Sequence, residues 1–273
     1  MPEPPRPCDV SVLVPSFNSG SHLLDAVNSA LAQHGAEIEV LVQDGGSTDG
    51  SLDTLASIAD PRLTWVSEPD DGQSDALNRA LRRASGHFVM WLNADDLLRP
   101  GAVAALLAAA RRGDLSIVHG NYAIIDAQGD VIKPYTSAPL DRARLLRHGT
   151  YIFSGALLIE RRLLLKLGAF DARLHYAMDY DLLLRLAGAD ARAGSIPDFV
   201  AAFRRQPQSK SESVWVPFVR EHLRVSRRHG ATTTRMLCYL VITVTYVTLR
   251  PLWRSRLWLR IRPKKHLGGS LSA

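Results

Sequence analysis

The chain has 273 residues, 46% of them hydrophobic and 22% charged, which is ordinary for a globular protein and long enough for one α/β domain of about 200 to 250 residues plus an appendage. Its two cysteines, Cys8 and Cys238, lie 230 positions apart, which excludes a disulfide framework and a zinc site of the usual spacing and points to a reducing compartment. The net charge of +6 is uneven: residues 214–273 hold twelve Lys and Arg against one acid, Glu221, while the other 21 basic and 26 acidic residues leave the body negative.

The Pro-rich start, residues 1–7, has neither the basic stretch nor the apolar run of a signal peptide, so a cytosolic location is expected. Asp9 to Pro15 reads as a strand, Ser21 to His34 as a helix by its apolar spacing, Ile38 to Val42 as a second strand, and Ser51 to Ala59 as a second helix. Two more strands, Leu63 to Ser67 and His87 to Leu92, flank a helix from Ser74 to Ala84 that Gly86 terminates. This alternation implies an α/β fold: a mostly parallel sheet with helices on both faces and a ligand site beyond the carboxyl ends of the strands. An alanine-rich helix follows Pro100. Strands are expected near Ser116 to Val118 and Tyr122 to Ile125, with a hairpin turn at Ala127 to Asp130, so the second half looks mixed. Helices are read at Leu140 to Arg147, Arg161 to Leu167 and Asp179 to Ala187, and a last strand at Phe199 to Phe203. Arg204 to Ser213 has no hydrophobic residue and reads as a loop able to cover the site.

Four polar clusters fall where chemistry is expected. Met90 to Leu92 leads through Asn93 and Ala94 into Asp95 and Asp96; such carboxylates hold a hard divalent cation, or one of them N-caps the next helix, and capping by one leaves the other free for metal. Asp44-Gly-Gly-Ser-Thr-Asp49 is either ordinary turn chemistry or a place where Asp44 accepts from a nucleobase or ribose. In Glu68 to Asn78, Gln73, Asp75 and Asn78 lie within about one helical turn, and Ser74 is a competing helix cap. In His175 to Asp181, acids at a helix start either answer the helix dipole or supply a general base, with Tyr180 as a stacking surface for a sugar.

Together, in this order, the clusters resemble glycosyltransferase family 2, the inverting group built on the GT-A fold, and within it a bacterial surface-polysaccharide subgroup. Val14-Pro15-Ser16-Phe17-Asn18 looks like its first-strand motif, Asp44 to Asp49 like its Asp-Gly-Ser-Thr-Asp turn, and Leu167 to Asp171 leading to Ala177 to Asp181 is similar as well. The resemblance runs from about residue 9 to 213, giving a catalytic domain over 1–213 and a tail over 214–273. It implies a nucleotide-sugar site of Pro15, Phe17, Asp44, Gln73, Asp75, Asn93 and Asp95, a Mg²⁺ or Mn²⁺ ion on Asp95 and Asp96, and Asp179 as the catalytic base. Asn93 stands where the family has a first aspartate, and Gln206 where relatives often have a metal-holding His; both weaken a metal site. The implied partners are a nucleoside-diphosphate sugar and a glycan or lipid-linked acceptor.

A nucleotidyltransferase is the nearest rival, but residues 15–20 carry no Lys or Arg for a phosphate loop. A non-catalytic nucleotide-sugar or membrane-binding protein is the other, against which the carboxylates at 95 and 179 count. The tail's uncharged run, Met236 to Leu249, would span about 21 Å as a helix, short of the roughly 30 Å hydrocarbon core. With the Trp and Arg interleaving that follows, it suits an anionic membrane surface better than nucleic acid, so the expected place is peripheral, at the inner face of the plasma membrane.

Overall fold

The computed structural model describes residues 8–205 and 215–232. The first half alternates as β1 (Val10–Ser16), α1 (His22–Leu31), β2 (Ile38–Asp44), α2 (Ser51–Ala56), β3 (Leu63–Ser67), α3 (Gln73–Arg83) and β4 (Phe88–Trp91). These four strands are parallel, in the order β3-β2-β1-β4. All seven residues of β1 are buried, as expected of a parallel strand covered on both faces. Its side chains alternate between two cores: Val10, Val12 and Val14 pack with α1 on one face, while Leu13 meets Leu77 and Leu81 of α3 on the other.

The second half is β5 (Leu97–Leu98), α4 (Ala102–Gly113), β6 (Ile117–Ile125), β7 (Val131–Tyr135), α5 (Arg142–His148), a 3-10 turn at Ser154–Ala156, β8 (Leu157–Glu160), α6 (Arg161–Lys166), α7 (Met178–Ala187), β9 (Ala193–Arg204) and α8 (Trp215–Arg228). Here the sheet turns mixed. β8 joins β4 to β6 by antiparallel pairing, β9 runs parallel to β6, and β5 and β7 pair antiparallel with β9 and β6.

Several local expectations are corrected. The two strands read at 116–118 and 122–125 are one, β6. Gly120 carries it past β9, because a Cβ there would come within 2.7 Å of the Val200 side chain, and the register shifts at that point. β8 carries no signal of its own in the sequence, because its Leu157-Leu158-Ile159 runs with no turn residue into α6. Gly86 is not a helix cap: α3 stops earlier, and a Cβ at Gly86 would lie 2.6 Å from the Ser11 nitrogen, so it marks a close approach to β1. Neither Asp95 nor Asp96 caps α4, whose N-cap is Gly101. Ser74 does not cap α3 either; its hydroxyl donates to the Leu174 carbonyl. Arg204 closes β9 as a buried residue instead of opening a loop.

Candidate functional site

A cleft of about 800 Å³ opens beyond the carboxyl ends of β1 and β4, where the strand order reverses. The loop after β1 is one wall, and it is zipped to the turn after β2. Asn18 donates its N–H to the Ser47 hydroxyl and accepts from Thr48 N–H, and Gly20 donates to Asp49. The Asp44 carboxylate is the anchor of that turn. It accepts from Gly46 N–H at 2.9 Å, Ser47 N–H at 2.8 Å, and the hydroxyls of Ser47 and Ser67. Burial pushes its carboxyl up, but these donors prevail and hold it below the usual carboxylate range. Pro15 and Phe17 line the cleft, and Phe17 is an exposed aromatic at its edge.

The Asp44 side chain is thus buried within its own turn and does not line the cleft. Asp75 is likewise engaged away from it, accepting from Asp71 N–H and pairing with Arg79 at 2.7 Å. The carboxylate that does face the cleft from this region is Asp70, which motif spacing did not single out. A Cβ on Gly45 would come 3.0 Å from its Oδ2, so the glycine makes room for it. Burial, with Asp75 and Asp44 nearby, raises its carboxyl against the Gly72 N–H that it accepts.

At the end of β4 the side chains form a chain of hydrogen bonds. Gln73 Nε2 and Trp91 Nε1 both donate to Asn93 Oδ1, at 2.8 and 2.7 Å, and Asn93 Nδ2 donates to Asp96 at 2.7 Å. Asp96 is wholly buried and also accepts from the Arg204 backbone N–H, so it locks the end of β9 to this loop and does not reach the cleft. Of the two acids expected at a metal, only Asp95 lines the cleft. Burial raises both carboxyls, and the neighbouring Asp95 raises Asp96 further. Arg204 spans the back of this loop, donating from Nε to the Asp95 carbonyl and from Nη1 to that of Ala127. Among the described residues no group of three His, Cys, Asp or Glu is arranged around one point. Gln206 lies outside the described residues.

The far wall comes from the start of α7. Asp179 lines the cleft, and its carboxylate accepts from Tyr180 N–H at 2.7 Å. Burial pushes this carboxyl up to about 6, and Glu221 adds to the rise. Asp181, two residues on, faces the protein interior, where Arg185 and His229 hold it at 2.7 and 3.0 Å. These partners keep it below the usual range although burial acts the other way. Tyr180 is not a sugar platform: it is buried, stacked on His222 with ring centroids 5.0 Å apart, and bonded to Ser226. Aromatic surface for a ligand comes instead from Tyr122, Phe153 and Phe203, which touch one another at 5.2 and 5.5 Å, and from Phe218 of α8.

Comparison with known proteins adds the family. The model of "Glycosyl transferase family 2" matches residues 11–168. An uncharacterized glycosyltransferase of Rickettsia typhi is 30% identical over 181 residues, 63% of this chain and 57% of its own length. The succinoglycan biosynthesis protein ExoO of Rhizobium meliloti is 28% identical over 203 residues, covering 69% and 58%. The chain thus spans less than two-thirds of either relative. Among solved structures, residues 1–349 of TarS from S. aureus, in complex with UDP-GlcNAc, superpose with a TM-score of 0.68 at 19% identity, over 93% of this chain and 76% of that one. That likeness identifies the GT-A-type α/β fold. Matched over more than half its length, this chain belongs to glycosyl transferase family 2 and is a glycosyltransferase.

Proposed function

We propose that the enzyme moves a sugar, with inversion, from a nucleoside-diphosphate sugar to a hydroxyl of a glycan or lipid-linked acceptor in the assembly of a cell-surface polysaccharide or glycolipid. The observation that carries this reading is that one cleft holds Asp95 at the end of β4 and Asp179, with a carboxyl near 6, at the start of α7. A base of that strength is ionised at neutral pH and still close enough to it to take a proton. The UDP-GlcNAc named with TarS and the polysaccharide named with ExoO support the donor and product classes.

In this reading the nucleotide lies along Pro15, Phe17 and Asp70, and Asp44 serves it indirectly by shaping the turn that carries Gly45. Asp179 removes the acceptor hydroxyl proton as that oxygen bonds to the anomeric carbon from the face opposite the diphosphate. The bond to the diphosphate oxygen breaks, its electrons leave with the nucleoside diphosphate, and the anomeric configuration inverts. Asp179 then returns the proton to water.

The residues present fit a hard cation that arrives with the diphosphate better than a resident metal. Asp95 presents one desolvated carboxylate to the cleft, which Asp96 does not reach, and the Asn93 side chain bonds Asp96, Gln73 and Trp91. Magnesium commonly binds through one or two carboxylates and substrate phosphates. Such an ion would neutralise charge on the leaving group. The tail, residues 236–273, lies outside the described residues; we assign it to an anionic membrane surface from its sequence. No helix among the described residues is long and apolar enough to cross a membrane.

The direct test incubates the full chain with a panel of nucleotide sugars and Mg²⁺ or Mn²⁺ and follows the nucleotide product. Nucleoside diphosphate released in step with acceptor glycosylation supports the reading. Pyrophosphate would indicate a nucleotidyltransferase, and tight donor binding without turnover a binding protein.

A further inference from the structure

The sequence of α8 lies beyond the residues matched by the family model, yet the helix is built into the cleft. It is amphipathic: Val219, His222, Val225 and Ser226 are buried, while Arg220, Arg224 and Arg227 are exposed. Val225 packs in the same core as Leu182 and Tyr180 of α7. On that buried face sits Glu221, only 7% exposed and the single acid of residues 214–273. Acidic residues are rarely buried without partners.

Its partners are three consecutive backbone N–H groups. Oε1 accepts from Tyr176 and Ala177, both at 2.7 Å, and Oε2 accepts from His175 at 3.2 Å. Ala177 is the N-cap of α7, and its own side chain makes no capping hydrogen bond. A carboxylate from another helix thus satisfies the N-cap N–H and the two loop N–H groups before it, at the favourable end of the helix dipole. Asp179 is two residues further on. Its neighbours are gripped by the same segment: Tyr180 by Ser226 and His222, and Asp181 by His229. Only Asp179 of this stretch of acids is left facing the cleft, and Phe218, just before Glu221 on α8, lines the cleft beside it.

We propose that Glu221 is a positioning residue for Asp179: by clamping His175, Tyr176 and Ala177 it sets the turn that aims the base, which makes α8 part of the catalytic unit. This rests on Asp179 being the base. The ionisable groups around Asp179 are Glu221 and His222 from α8, Tyr180 beside it, and His175 and Tyr176 from its own loop; His22, Asp70, Asp95, Tyr122, Tyr151 and Arg204 line the same cleft. Because Glu221 adds negative charge near Asp179, removing that charge lowers the base's pKa and moves the acid limb of the rate profile to lower pH.

The experiment compares Glu221→Ala, Glu221→Gln, Val225→Ala and Asp179→Asn in the full chain, reading kcat, donor affinity and the pH profile. Misplacing a reacting group by about 1 Å costs on the order of 10²-fold, so Glu221→Ala should lower kcat about 10- to 100-fold. Donor affinity should stay within about twofold, because the nucleotide side is untouched. Glu221→Gln, which keeps one acceptor oxygen, should recover part of the rate while its acid limb shifts to lower pH. Val225→Ala loosens the same helix without touching the clamp and should leave the acid limb in place. Full rate and an unmoved acid limb in both Glu221 variants would overturn the inference. So would a Val225→Ala variant that reproduces the same loss and shift. If Glu221→Ala does not fold, the acid limb of Glu221→Gln decides alone. An active Asp179→Asn sinks the base assignment itself, whereas an inactive one beside normal Glu221 variants sinks only the clamp.

Discussion

Three aspartates that the motifs place at the site differ in fate because each meets different neighbours. Asp44 is held low by its own turn, Asp179 is raised by burial and by Glu221 against backbone donors, and Asp96 is raised by burial beside another acid. The pH dependence follows from the sign of the shift at Asp179. A general base works only when ionised, so activity should fall as pH drops through about 6, well above the range of an ordinary carboxylate. A kcat profile flat down to pH 4.5 would contradict that. Asn93 explains its own departure from an acid. Its Nδ2 donates to the buried Asp96, so Asn93→Asp would exchange that donor for a repelling oxygen 2.7 Å away. Loss of about 1–3 kcal/mol is expected, a fall of several degrees in melting temperature without ligand. An unchanged melting temperature would mean that Asp96 is neutralised some other way.

At the scale of elements, the loop after β1 and the turn after β2 form one unit, tied through Asn18–Ser47 and Gly20–Asp49. Asp44→Asn should therefore weaken the fold by about 1–3 kcal/mol even without nucleotide, and donor affinity should fall with it. Calorimetry of the ligand-free variant checks this; a wild-type melting curve with weakened binding would restore Asp44 to direct contact with the base. The parallel half of the sheet was legible in the sequence because β1, β2 and β4 are near-continuous apolar runs between turn residues. The mixed half was less so. β5 has two residues, β8 runs without a turn residue into α6, and Gly120 breaks the pattern of β6 although the strand runs through it. Asp179 and Asp95, singled out by their motifs, both line the cleft. Which way a carboxylate turns is not legible in a sequence: Asp44, Asp75 and Asp96 are held by their own partners and do not line the cleft. Asp70, Arg204 and Phe218 reach the cleft by folding from separate parts of the chain, which no local pattern announces.

For the whole molecule, one body carries a negative balance and a cleft, and the strongly basic stretch begins where α8 docks beside that cleft. If residues 236–273 hold the enzyme on an anionic bilayer, their removal should release it to the soluble fraction and leave the cleft's chemistry intact. Full-length protein that fails to co-sediment with anionic liposomes at low salt would remove the membrane from the account. The proposed transfer turns on Asp179 acting as its base. Its most direct test titrates the nucleoside diphosphate and measures sugar transfer for wild type, Asp179→Asn and Asp181→Asn. Asp179→Asn keeps shape but cannot accept a proton near neutral pH, so it should lose about 10²- to 10⁴-fold in rate with nearly unchanged nucleotide affinity. Asp181→Asn disturbs a buried ion pair and should lower the melting temperature while keeping most of the activity. Near wild-type transfer by Asp179→Asn, or a dead Asp181→Asn that still folds, would contradict the account.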